Sequence, residues 1–440
     1  MKKSDKELKN CLQKIINASA EYLSSKQLLK ELIFRRDNTL YVKTIDGQLR
    51  QTQLDYEKII IVGGGKVSHI LSEYLYEILS DKVTSGFVAI KSNFKSLSKI
   101  RYFKSAHPKA NISSLKAADE MIDLLKTAED KTLVIFVISG GCSALLAKPI
   151  DEITFEEKAD ISEKLINSGA DINELNKFRK YFSKIKGGGI LDFVKTDFIS
   201  IIIADVIGNP LKTIASGLTY YSKPSNEQVK KILEKYGLAN QISSNMQKLL
   251  KTNYWGKFKE SDAKKNFIIF DNLYFQKILL KIAEDENIYV HRIRKPISGD
   301  VAIASKILSS AYTRIIRRIS TKKGLHLIIS GGETSVKVKG NGLGGRNHEL
   351  SLLMINYLST LPNAVFISLA TDGDDGNSNH AGAFVTSDSL FRIKKRNLQK
   401  LSFLQRNDSF SLFDLLDDEV SFPKFITNVM DVQLLLLQIY

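Results

Sequence analysis

Apolar residues near the start of the chain fall at Leu8, Leu12, Ile15, Ile16, Tyr22 and Leu23. This is the spacing of a helix with one buried face, and it predicts an amphipathic helix packed on the body. Residues 40–54 are polar and turn-rich. Lys58 then opens the run Ile59-Ile60-Ile61-Val62, the continuous apolar pattern of a strand buried on both faces. Gly63-Gly64-Gly65-Lys66 ends the run, and helical spacing returns through Ile70, Leu71, Leu75 and Leu79. Further strands are predicted at 86–90, 133–138 and 199–203. One helix is expected over 113–127. Another starts at Thr154, where Glu157 three residues later makes a capping box.

A Lys- and Asn-rich stretch, 221–265, interrupts the alternation and reads as an interdomain connection. The pattern then resumes with strands at 266–270, 289–293, 325–329 and 364–369, and helices at 273–284, 299–318 and 348–358. The terminal run Leu434-Leu435-Leu436-Leu437 reads as a buried strand or helix end. Strands alternating with helices imply sheets covered on both faces. The expected fold is α/β: two α/β domains with mostly parallel sheets covered by helices, and an active-site cleft between them. The expected division is 1–245 as an N-terminal Rossmann-like domain and 246–440 as a C-terminal α/β domain.

A chain of 440 residues is long enough for two cores. Its 43% hydrophobic and 25% charged content excludes a disordered protein. The formal net charge of +16 would suit nucleic acid or an anionic surface. The lysines are dispersed, however, without the tight basic cluster and interleaved aromatics of a nucleic-acid site, so their use is to steer an anionic substrate or none at all. Cys11 and Cys142 form no metal or disulfide pattern. The N-terminus lacks the apolar core of a secretory signal, and no apolar run is long enough to span a bilayer. The expectation is a cytoplasmic protein with neither nucleic acid nor membrane as partner.

Candidate chemistry gathers where apolar runs stop. Val134–Ile138 leads into Ser139-Gly140-Gly141-Cys142-Ser143, and Ile328-Ile329 leads into Ser330-Gly331-Gly332-Glu333-Thr334. Glycine lets backbone N–H groups approach an anion with no Cβ in the way. Two strand-then-SerGlyGly turns suggest two walls of one anion site. Gly344-Gly345-Arg346-Asn347 delivers a guanidinium able to fork onto carboxylate or phosphate oxygens. Gly63-Gly64-Gly65-Lys66 is neither a Walker loop nor a dinucleotide fingerprint. It is either an anion cradle at a helix N-terminus or a tight turn with a surface lysine. Arg179 and Lys186 end a basic segment; they line a ligand site or are solvated helix-end charges. Asp205 follows a strand as a metal or hydroxyl ligand or a helix cap. Asp372, Asp374 and Asp375 crowd one turn, which is either a place where a cation such as Mg²⁺ offsets their repulsion or a solvated acidic loop. Cys142 reads as a small buried residue, and His107, before Pro108, as structural.

Taken in order, these motifs resemble the glycerate 2-kinase family with a MOFRL-type C-terminal domain. The matching segments are Val62-Gly63-Gly64-Gly65-Lys66, His107-Pro108, Ile138-Ser139-Gly140-Gly141, Arg179 to Gly188, Ala204-Asp205 to Asn209, Ser216-Gly217, Ser330 to Thr334, Gly344 to Leu350, Thr371 to Gly376 and Ala381-Gly382-Ala383. The resemblance covers about Ile59 to Gln433. It departs at Asn209, where the family usually has Asp, at Leu218, where it usually has Pro, and along Phe422-Pro423-Lys424-Phe425-Ile426-Thr427-Asn428, where it carries a glycine-rich run.

The resemblance implies an ATP-dependent kinase acting on the 2-hydroxyl of D-glycerate, with Lys66 and Arg346 as the cleft lysine and arginine. Lys66, Arg346 and Asp205 are the expected catalytic residues. Gly64, Gly65, Ser139, Gly140, Gly141, Ser143, Arg179, Lys186, Ser330, Gly331, Gly332, Glu333, Gly345 and Asn347 are the expected binding residues. Asp205, Asp372 and Asp375 are the expected Mg²⁺ ligands. D-Glycerate and ATP are the expected partners, with a homodimer left open. The rival readings are a hydroxypyruvate or tartronate-semialdehyde reductase, which would need a nicotinamide, and a degenerate ligand-binding member of the kinase family.

Overall fold

Two units divide the chain in the computed structural model, which describes residues 3–24, 26–252, 254–255, 263–424 and 427–440. One unit is Leu29–Ile269, and the other combines Met1–Leu28 with Phe270–Tyr440. The division expected at 245/246 therefore moves to 269/270, and the opening helix changes sides.

The Leu29–Ile269 unit begins with a three-stranded antiparallel sheet, β1 (Ile33–Arg36), β2 (Thr39–Lys43) and β3 (Leu49–Gln53). The sequence pattern offered only turns here. Leu40 and Val42 are fully buried in β2, but two apolar positions are too few to declare a strand.

The main sheet contains β4 (Lys58–Gly64), β5 (Val83–Ile90), β6 (Ile100–Lys104), β7 (Thr132–Ile138), β8 (Asp197–Ile203) and β9 (Asn266–Phe270), in the order β6-β5-β4-β7-β8-β9. The pairs β4–β5, β4–β7, β5–β6 and β7–β8 are all parallel. This is a doubly wound sheet whose winding reverses between β4 and β7, and ligands bind beyond the strand ends at such a point. Every residue of β7 is buried. Val62, Phe136 and Ile138 share a core with Met121 and Leu125 of the helix Ile112–Lys126. β9 completes this sheet, which is why residues 266–270 do not open the second unit.

The Lys- and Asn-rich stretch is not an open connection. Its helices Asn226–Lys235 and Ser244–Lys251 bury Val229, Leu233, Met246 and Leu250 against Leu165 and Phe178 of the helices Phe155–Asn167 and Ile172–Tyr181. Residues 253 and 256–262 of that stretch lie outside the described residues.

The second unit holds β10 (Tyr289–Arg292), β11 (Ile297–Asp300), β12 (Gly324–Ser335), β13 (Ala364–Ala370), β14 (Gly382–Thr386), β15 (Glu419–Val420) and β16 (Asp431–Ile439). Their order is β10-β12-β16-β13-β14-β15, with β11 paired to β12. β10 and β11 run parallel to β12. β16 is antiparallel to both β12 and β13, and β13–β14 and β14–β15 are antiparallel as well. The sheet of this unit is therefore mixed, while the mostly parallel pairing expected is that of the first unit. Leu434 to Leu436 are fully buried, and a continuous apolar run carries no information about strand direction.

The helix Asp5–Ser24 buries Leu8, Leu12, Ile15 and Ile16. It is tied to this unit by Lys9 Nζ on the buried Asp418 at 2.7 Å and by Asp5, which accepts from the Asp388 N–H at 3.2 Å. Among the described residues no helix is long and apolar enough to cross a membrane.

Candidate active site

The switch point of the first unit is built by glycines at close quarters. A Cβ on Gly63 would fall on the Val137 carbonyl oxygen, and one on Gly65 on Ser139 Oγ; both glycines have positive φ, +152° and +146°. The chain ends of β4 and β7 thus interlock without side chains between them. The Lys66 N–H donates to the Gly140 carbonyl at 2.8 Å. Ser139 Oγ accepts from the Val67 N–H at 3.2 Å and lies 2.9 Å from Ser68 Oγ. Ser139 therefore orders the start of the helix Ser68–Leu79, which carries no side-chain cap of its own. Gly141 brings the next turn against two side chains: its missing Cβ would lie 3.0 Å from the His107 ring and 3.3 Å from Lys66 Cγ. Lys66, His107, Ser139 and Gly141 form one constellation, and His107, read as merely structural, borders it.

The other flank of the turn carries Ser143 and Lys186. Lys186 Nζ donates to the Ser143 carbonyl at 2.7 Å, while Ser143 Oγ lies 2.8 Å from Ser216 Oγ. Ser216 and Ala215 both have positive φ, 57° and 49°. Non-glycine residues hold that conformation only where the surroundings enforce it. The Gly187 N–H to Ser216 carbonyl bond at 2.9 Å and the Gly188 N–H to Gly217 carbonyl bond at 2.7 Å supply that enforcement. Lys186 is buried, and burial with nearby Arg179 pushes its ammonium down to about 8. Burial pushes the Cys142 thiol up to about 12, so it remains a protonated core residue. Asp205 is half-buried after β8 and is close enough to Cys142 for their charges to interact.

In the second unit Arg346 opens the helix Arg346–Leu358. Its Nε reaches Asp431 Oδ2 at 2.6 Å and its Nη2 reaches Asp431 Oδ1 at 2.9 Å. Nη1 pairs with Glu333 Oε1 at 2.8 Å. Burial opposes its charge, but Asp431 and Glu333 hold the guanidinium well above its ordinary value. The side chain keeps 32% exposure. Only part of its five-donor fork is used by these contacts, so it can still donate to an anion. Asp431 is fully buried at the start of β16, and burial pushes its carboxyl up to about 6 against the pull of Arg346. Sequence reasoning missed Asp431; its only signal was an acid at the mouth of a buried apolar run.

Several expected ligands do other work. Ser330-Gly331-Gly332-Glu333-Thr334 is not a turn but the continuation of β12, with Gly332 opposite Asp431 of β16. Its backbone belongs to the sheet, and Ser330 Oγ donates to Gln433 Oε1 at 3.0 Å. A Cβ on Gly331 would strike Asn272 Oδ1, so this glycine admits a neighbour rather than a ligand. Asp375 is buried and accepts from the Asn347 and His348 N–H groups, at 3.0 and 2.9 Å, and contacts His348 Nδ1 at 2.6 Å. Both oxygens serve the start of the Arg346 helix, a different use from the Mg²⁺ ligation expected of Asp375. Asn347 is 1% exposed and sits inside the same network, while a Cβ on Gly345 would meet Asp375 Oδ1 at 2.5 Å. Asp372 is half-buried, and Asp374 pairs with Lys424 at 2.6 Å. Among the described residues no group of three or more His, Cys, Asp or Glu is placed to hold a metal ion. In the altered run 422–428, Phe422 packs against Phe275 at 6.3 Å between ring centroids, and Phe425 and Ile426 lie outside the described residues.

Known proteins resemble the chain in both units. The family described as "Domain of unknown function (DUF4147)" matches residues 11–251, and the MOFRL family matches residues 326–431. Glycerate 2-kinase of Sulfurisphaera tokodaii is 31% identical over 392 residues, covering 86% of this chain and 88% of that protein. D-glycerate 2-kinase of Thermotoga maritima is 27% identical over 365 residues, covering 82% and 86%. The crystal structure of glycerate kinase from Thermotoga maritima shares the fold with a TM-score of 0.82 at 24% identity, over 99% of this chain and 100% of that one.

Proposed function

The chain belongs to the glycerate 2-kinase family, and from that premise we propose that it transfers the γ-phosphoryl group of ATP to the 2-hydroxyl of D-glycerate. The observation that carries this reading is the glycine-lined switch point with Lys66 beside Gly141, a place where a doubly wound sheet receives an anionic ligand. Phosphoryl transfer asks for alignment and charge neutralisation more than for covalent chemistry.

Lys66 neutralises the transferring phosphoryl group as a point charge. Arg346, braced by Asp431 and Glu333, is the guanidinium that the second unit offers to an anionic group of the substrates. The Ser139-Gly140-Gly141 turn, Gly64 and Gly65 let the backbone approach the phosphates. Arg179 and Lys186 add charge on the same unit. Asp205 orients the 2-hydroxyl, accepts its proton or contacts the metal. Mg²⁺ enters with ATP as part of that substrate and needs only one or two protein carboxylates beside the phosphate oxygens. Asp205 carries that assignment in the first unit and Asp372 in the second, each by the family resemblance; the oxygens of Asp375 already accept from the start of the Arg346 helix.

The test is ADP release from Mg-ATP and D-glycerate, with the product read by ³¹P NMR. Formation of 2-phosphoglycerate is the expected result. A 3-phosphate product would overturn the orientation of glycerate. Oxidation or reduction of a nicotinamide without ADP release would replace the kinase with the reductase.

A further inference from the structure

Three buried or half-buried lysines of the first unit meet around one turn with carbonyls rather than carboxylates for company. Lys180 (8% exposed) donates from Nζ to the Lys212 carbonyl and to Ser222 Oγ at 3.3 Å. Lys186 (7% exposed) donates to the Ser143 carbonyl. Lys223 donates to the carbonyls of Ser183 and, at 3.1 Å, Lys180, and its ammonium sits 3.5 Å over the Trp255 ring. Its stem also packs against Gly187, whose missing Cβ would lie 3.2 Å from Lys223 Cδ. Arg179 precedes Lys180 on the helix Ile172–Tyr181. Lys158 lies on the neighbouring helix Phe155–Asn167, within charge range of Arg179, Lys186 and Lys223.

Among the described residues none of these five cations makes a salt bridge. Among the described residues the carboxylate that offsets them is Asp192, which acts on Lys223. Buried charges are normally paired, and an unpaired cluster of one sign is costly unless a counter-charge arrives. The cost registers as depressed basicity: burial and mutual repulsion hold Lys158 and Lys223 well below their ordinary value, and burial takes Lys180 to about 8.

We propose that Lys158, Arg179, Lys180, Lys186 and Lys223 form one polyanion cradle, which takes the phosphate chain of the nucleotide rather than the carboxylate of glycerate. The assignment deepens the kinase reading and rests on it for the identity of the polyanion. Charge decides between the two ligands. A single carboxylate would leave most of the cluster uncompensated, whereas a triphosphate spreads several charges along a chain that separate ammonium groups can follow. Lysines meet phosphate as point charges, and Arg179 adds a fork for two oxygens of one phosphate. The cradle is continuous with the switch-point turn, because Lys186 grips the carbonyl of Ser143, two residues after Gly141.

The experiment is calorimetric titration of the full chain with inorganic tripolyphosphate, and separately with D-glycerate, for the native protein and for Lys158→Gln and Arg179→Gln. Among the described residues neither side chain holds a backbone carbonyl in place, and thermal unfolding verifies that each variant is folded. Tripolyphosphate affinity is expected to fall at least tenfold in each variant, with glycerate affinity changed less than twofold. On the native protein, tripolyphosphate should also protect Lys158, Lys180, Lys186 and Lys223 from amine acylation, a readout that needs no variant to fold.

Unchanged tripolyphosphate binding in the variants, loss of glycerate binding instead, or acylation unaffected by tripolyphosphate would each overturn the cradle. The kinase reading fails separately. A chain that binds tripolyphosphate through these residues but releases no ADP keeps the cradle and loses the kinase. A chain that phosphorylates glycerate and ignores the substitutions keeps the kinase and loses the cradle.

Discussion

Arg346 lies flat against Asp431, with both oxygens of the buried carboxylate accepting from the guanidinium at 2.6 and 2.9 Å. The carboxylate comes from the first residue of the last strand and the guanidinium from the first residue of a helix. This pair sets the direction in which the remaining N–H groups of Arg346 point. Asp431→Asn keeps the shape but gives up the charge and one acceptor. Asn turns an NH₂ toward guanidinium donors inside the fold, so the variant should also cost about 2–3 kcal/mol. Misdirected by about 1 Å, Arg346 should lose about 100-fold in kcat. Steady-state kinetics beside a thermal melt checks this; unchanged kcat would show that the pair has no positioning role.

Lys66→Ala should remove most turnover, by about 10²–10³-fold, while the melting temperature stays near that of the native chain. Lys66 is half-buried at the edge of the turn, with its Cγ 3.3 Å from the place of a Gly141 Cβ, so its loss opens no cavity in the core. Near-normal activity in this variant would refute the role given to Lys66.

Asp375 is a structural acceptor. Its carboxyl is buried, yet its bonds with His348 hold it below the ordinary value of 3.8. Such a group contributes stability above that value and loses it as pH falls toward the folded pKa. Asp375→Asn turns an NH₂ toward donors that need an acceptor, and should cost about 2–3 kcal/mol. Chemical denaturation measures the loss. A variant with native stability but weakened Mg²⁺ dependence would restore Asp375 as a metal ligand.

Gly65→Ala places a methyl group on Ser139 Oγ at a φ of +146°. The substitution should displace Ser139 from the Val67 N–H and cost about 1–3 kcal/mol in strain. Turnover should fall with it, because the same turn carries Lys66. Thermal melts and ADP release report the two effects, and a fully stable, active variant would mean the interlock is slack.

Lys180 and Lys186 ionise near 8 when folded against 10.5 unfolded. Between those values the unfolded chain binds more protons, so their contribution makes stability rise with pH across that window. Lys186→Met should flatten the rise, and saturating tripolyphosphate should flatten it in the native protein. Melting temperatures from pH 7.5 to 10 in steps of about half a unit would expose the slope; identical slopes in all three samples would contradict the assigned ionisation.

Periodicity and turn chemistry alone determined much of this protein. The buried strands β4, β7 and β8, the capping box at Thr154, the amphipathic opening helix and the glycine turn before Lys66 were legible because each is local. Apolar period, cap spacing and glycine content are properties of a few consecutive residues. The family resemblance was legible because its motifs keep their order along the chain.

Only the tertiary structure decided the rest. Nothing local says that the last strand inserts antiparallel between β12 and β13, since a Leu run buried on both faces looks alike in either direction. Insertion of that strand turned Ser330-Gly331-Gly332 from an apparent turn into sheet, and brought Asp431 to Arg346. The same holds for Asp375, whose acidic turn suggested a cation until folding supplied helix N–H groups, and for the five basic residues drawn from three separate segments. A charge declares its sign in the sequence, but its partner is chosen by the packing of residues far away along the chain.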